Sequence, residues 1–88
     1  MTTKKDNGRS ARPLRGDEAH ILALIQQIYG DQNDVSKCFT SDQDEMVIFV
    51  KDQRRQSPIM VNLTFVADVA REQNLSDQVI KDNWLKPH

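Results

Sequence analysis

The chain has 88 residues, 38% hydrophobic and 28% charged, with a formal net charge of −1 and one cysteine. A lone cysteine excludes an internal disulfide, and there is neither an apolar run of about 18 residues nor a charged-then-apolar leader, so secreted and membrane-spanning classes are set aside in favour of a reducing, cytoplasmic setting. The near-zero net charge conceals a division: Lys4, Lys5, Arg9, Arg12 and Arg15 face a single acid, Asp6, within residues 1–15, whereas residues 16–88 hold seven cations against twelve acids.

Residues 1–15 therefore read as a basic arm. Its first ten residues, MTTKKDNGRS, have no hydrophobic period and too little apolar mass to build a core, so they are expected to be disordered until a partner orders them. Residues 16–88 form one small domain, near the size at which a single core only just offsets chain entropy, and self-association is a natural expectation for it.

The first predicted element is a helix over 17–29, where Ile21, Leu24, Ile25, Ile28 and Tyr29 recur at helical spacing and Leu22 widens the stripe. Asp17 is its expected N-cap, and Gly30 the residue that ends it in a left-handed conformation. After the turn-forming stretch 31–34, residues 35–40 read as a short strand containing Val35, Cys38 and Phe39. Residues 45–51 (EMVIFVK) are the clearest strand, because five consecutive apolar residues are bounded by polar loops. The loop 52–56 that follows carries Arg54 and Arg55 at its tip.

Residues 58–65 support two readings. Ile59, Val61, Leu63 and Phe65 alternate with the period of a strand, which is favoured, while Ser57-Pro58 is also a good opening for a helix. Residues 67–73 are then helical and closed by Asn74. Ser76 caps a final helix ending near Leu85, with Leu75 and Ile80 positioned as a hydrophobic staple. The expected architecture is α+β: helix, two or three antiparallel strands, two short C-terminal helices, in two layers.

Val69 to Lys86 (VAREQNLSDQVIKDNWLK) resembles the helix-turn-helix of repressors and transposase-type proteins. Ala70 is the small residue facing the second helix, Asn74-Leu75-Ser76 is a three-residue turn, and Ile80 follows Leu75 by five. The resemblance implies contacts to nucleic acid from Ser76, Gln78 and Lys81. Asn83 occupies a position where the motif expects an apolar residue, Trp84 is displaced by one, and Asp77 and Asp82 would face the phosphates.

The cations form a second constellation. If the loop at Arg54 and Arg55 lies on the same side as Lys4, Lys5, Arg9, Arg12 and Arg15, seven charges make one polyanion- or partner-binding surface. Catalysis has little basis. Cys38 has no neighbouring histidine and no CxxC spacing, and His20 sits inside a helix. The acids from Asp31 to Glu45 lack the glycine and glutamate of a calcium loop, the three glycines form no phosphate loop, and zinc ligands are missing. No enzyme, metal or cofactor is expected.

What remains is contact with other macromolecules. The apolar density of 46–50 and 59–66 is high for a sheet backed by one helical layer, so a face or edge is left for a partner. The sequence thus points to a non-enzymatic regulatory module acting through protein–protein contacts or as a homodimer, with nucleic-acid binding by the C-terminal hairpin and arm as the alternative.

Overall fold

A computed structural model describes residues 12–52, 54 and 56–86. The element order is α1 (Gly16–Tyr29), a 3₁₀ turn (Val35–Lys37), β1 (Cys38–Thr40), β2 (Met46–Val50), β3 (Ile59–Asn62), α2 (Leu63–Gln73) and α3 (Asp77–Ile80), which runs on into a π-helical turn (Lys81–Leu85). The three strands form an antiparallel meander in the order β1-β2-β3. Helices α1 and α2 pack on each other and on β2, so the domain is α+β, with helices on one side of the sheet.

Alternation along β2 sends Met46, Ile48 and Val50 into the core, where each is fully buried. They meet Ile21, Leu24 and Ile25 of α1 and Leu63, Val66 and Ala67 of α2 in one hydrophobic cluster, which Ile80 and Leu85 close from the C-terminal side. Burial of each such side chain contributes about 1.5–3 kcal/mol, which is how so short a chain sustains a core.

The helix α1 begins one residue before Asp17, and the start is organised by Glu18 instead. Glu18 is 0% exposed. Its two carboxylate oxygens each accept from the Arg12 guanidinium at 2.8 Å, and it also accepts from the Thr64 hydroxyl at 2.6 Å and the Arg15 N–H at 3.0 Å. As the third residue of the helix, it satisfies the backbone just ahead of the first turn, which is the carboxylate half of a capping box. At the other end Gly30 adopts φ 107°, where a Cβ would meet Gln32 Oε1. Its extended ψ of 160° departs from the left-handed helical cap that the sequence led us to expect.

Arg12 and Arg15, read from the sequence as the root of a free arm, lie against the domain. The Arg12 N–H donates to Thr40 Oγ1 at 3.2 Å, and Leu14 packs on the core. Lys4, Lys5 and Arg9 fall outside the described residues, as does Arg55.

Residues 58–65 divide between the two readings. The strand stops at Asn62, whose side chain accepts from the Phe65 N–H at 2.9 Å and caps α2 without an intervening loop. Thr64 is held in the first helical turn because its hydroxyl donates to Glu18 and accepts from the Met46 N–H at 2.8 Å. Tertiary hydrogen bonds thus override the alternating pattern at Leu63 and Phe65.

Asn33 is a second buried polar residue that ties elements together. Its side chain accepts from the Lys51 N–H at 2.7 Å and donates to the Lys51 carbonyl at 3.1 Å, so one amide takes the place of a neighbouring strand. Asn74 closes α2 in the left-handed conformation, with the Leu75 N–H bonded to the Ala70 carbonyl at 2.9 Å. The π turn accounts for the displaced tryptophan. Its Lys86 N–H to Lys81 carbonyl bond of 2.9 Å spans five residues, so Ile80 and Leu85 both face the core and Trp84 turns outward.

The Arg12 hydrogen bonds outweigh the effect of burial and hold the Glu18 carboxyl at about 2, against an ordinary value of 4.5. A lowered folded value means the stabilisation is complete above about pH 4.5 and is lost as pH falls towards about 2. Glu18→Gln is expected to lower stability by about 3 kcal/mol at neutral pH, because Arg12 loses its buried counter-charge. In urea melts taken at decreasing pH, the gap between wild type and variant should narrow across that window.

Candidate functional site

The sheet has two unlike faces. Residues that alternate with the core positions, namely Phe39 on β1, Val47 and Phe49 on β2, and Met60 and Asn62 on β3, point away from the helices. Phe39 opposes Val47 and Met60 opposes Phe49 in the register, and the Phe39 and Phe49 rings stack with centroids 5.4 Å apart. Val47 is closed over, but Phe49 is 47% exposed and Met60 63% exposed. The described residues leave this face without a second layer.

Charge frames the patch along β2. Glu45 and Lys51 flank the strand and share the alternation of Val47 and Phe49, so an acid stands at one end of the apolar row and a base at the other. Glu45 accepts from Asn62 Nδ2 at 3.1 Å, which places its carboxylate on the outer side. The Lys51 backbone is kept extended by Asn33, and its side chain is exposed. Among the described residues neither charge has an ion-pair partner.

A second apolar surface lies on the helices, where Phe65, 50% exposed, and Trp84, 38% exposed, meet edge-to-face at 5.8 Å.

The three residues suggested by the helix-turn-helix resemblance are engaged within the domain. The Ser76 hydroxyl caps α3 by accepting from the Val79 N–H at 3.3 Å. Gln78 Nε2 donates to both Asp82 oxygens at 3.1 Å, and Lys81 Nζ donates to Gln27 Oε1 at 3.2 Å. Hydrogen bonds from Gln78 and Lys86 keep Asp82 below the usual carboxylate range, so this helix presents a carboxylate where a groove-reading helix needs cations.

The three of these cations that lie among the described residues, Arg12, Arg15 and Arg54, do not converge. Besides Glu18, Arg12 lies 3.3 Å from Asp44, and Arg15 reaches Asp68 at 3.2 Å within an exposed network of Asp17, Asp68, Arg15 and Arg71. Arg54 pairs with the buried Asp52 at 3.1 Å beside the C-terminal turn of α1, lining a polar cleft of about 460 Å³. The 14 residues of α1 separate that turn from Arg12 and Arg15 by roughly 20 Å.

Cys38 faces the core from β1, and burial, then the charges of Asp34 and Glu18, push its thiol up to about 11. His20 Nε2 lies 2.7 Å from Asp77 Oδ1, linking α1 to α3 at the surface. Sequence reasoning missed Glu18, Thr64 and Asn33, for which the only local signal was a glutamate at the third position of the helix. No family model, curated protein or solved structure matches the chain.

The Cys38 thiol is expected to react with a disulfide reagent at neutral pH far more slowly in the folded chain than in urea. Equal rates would place it outside the core.

Proposed function

We propose that this chain is a non-enzymatic interaction module that docks onto another protein through the outer face of its sheet. The observation that carries the reading is the exposure of Phe49 and Met60, side by side in the register, on the face opposite the helices. A large apolar side chain left in water forfeits about 1.5–3 kcal/mol that a partner would recover, and adjacent exposed residues of this kind mark contact surfaces. Regulation by docking fits the chemistry of two groups that are buried. Cys38 is buried with a raised pKa and Glu18 is held by Arg12, so neither meets solvent as a nucleophile or base.

No helix among the described residues is long and apolar enough to cross a membrane. We place the module in the cytoplasm, where a single reduced thiol is at home. Groove reading by α3 has less support, since Ser76, Gln78 and Lys81 are all engaged inside the domain.

A photo-crosslinking amino acid tests the reading. Placed at Phe49 or Met60 in cells, it is expected to capture a defined polypeptide, while the same group at exposed Glu72 on α2 does not. Capture from Glu72 alone, or from none of the three, would overturn it.

A further inference from the structure

We infer that the protein seated on the outer sheet face is a second copy of this chain, packed face to face about a two-fold axis that lies in the interface and runs across the strands. The inference rests on the docking reading above and assigns its partner.

The charge on this face favours a second copy. Along β2 the outer row reads Glu45, Val47, Phe49, Lys51, an acid and a base separated by two apolar residues. Six residues of strand place the two charges roughly 20 Å apart. A two-fold axis midway along that row sets Glu45 of each copy over Lys51 of its mate, and Val47 over Phe49. The surface is therefore complementary to itself in charge, as an isologous interface requires. An axis parallel to the strands would instead stack Glu45 on Glu45 and Lys51 on Lys51. Both charges lack an ion-pair partner among the described residues, so the pairing competes with no salt bridge among them.

Layer geometry agrees with the charge. Sheets stack about 10 Å apart with strands aligned within about 30°, and the in-plane axis yields that arrangement from two copies of one meander. The helices of each copy remain outermost, and Phe39, Phe49 and Met60 of both copies become the filling. The arm brings no comparable apolar group, since Met1 is the only large apolar side chain in residues 1–11.

Area decides the strength. A face of three strands and about five residues is roughly 14 × 17 Å, well below the about 800 Å² per partner of a standard interface. The dimer is accordingly weak, with a Kd on the order of micromolar or above, and its rim charges matter.

Sedimentation equilibrium of the full chain over a wide concentration range tests this, with circular dichroism confirming that each variant folds. The expected result is a reversible monomer–dimer equilibrium. Phe49→Asp and Met60→Asp should each raise Kd at least tenfold. Glu45→Lys and Lys51→Glu should each weaken the dimer several-fold, and the two together in one chain should restore it. A chain that stays monomeric, a dimer indifferent to Phe49→Asp, or a double charge reversal as weak as either single would overturn the inference. If crosslinkers at Phe49 or Met60 capture only a different polypeptide from a monomeric chain, the second copy is wrong and the docking reading stands. If they capture nothing, both fail.

Discussion

The structure depends on one buried carboxylate. Glu18 joins the segment ahead of α1, the first turn of that helix, the hairpin at Asp44 and the start of α2, through Arg12, Arg15 and Thr64. An isolated carboxylate so placed would be neutralised or expelled, because desolvating a charge costs several kcal/mol. Two bonds from one guanidinium, one hydroxyl and one amide remove that penalty, and in doing so they fix where β3 ends and α2 begins. Thr64 cannot continue the strand while its hydroxyl serves both Glu18 and the Met46 amide.

That junction decides what the rest of the domain leaves open. Because α2 leaves the sheet directly at Asn62 and folds back against α1, the helices of the described residues lie on one side of the sheet. The inner face carries Met46, Ile48 and Val50 into a closed core, and the outer face retains Phe39, Phe49 and Met60 with no second layer from the described residues. A regular sheet with one covered face ordinarily alternates apolar inward and polar outward. Here both faces of β2 are apolar, and only its flanking residues, Glu45 and Lys51, bring charge to the outer side.

The parts of the fold legible in the sequence were those set by local periodicity. The α1 stripe, the strand within EMVIFVK, the Asn74 stop and the Ser76 cap all follow from spacing and cap chemistry that neighbouring residues supply. The boundary inside 58–65 was hidden because its cause is tertiary, in Glu18 and Met46. Arg12 and Arg15 resembled the end of a basic arm because their carboxylate partners Glu18 and Asp68 are identified only by folding. The phase of Trp84 was misleading for a related reason, since a π turn changes which residues share a face and leaves no periodic trace in five residues. The outer face was foreseen in kind from the apolar density of the strands, but its membership required the register.

Nuclear magnetic resonance of the full chain on serial dilution tests the central claim most directly. If the outer face of the sheet is the contact surface between copies, the amide signals of Phe39, Val47, Phe49 and Met60 move together with concentration while those of Ser76 to Lys86 stay fixed. Movement confined to Ser76 to Lys86, or signals that do not change at any concentration, would contradict it.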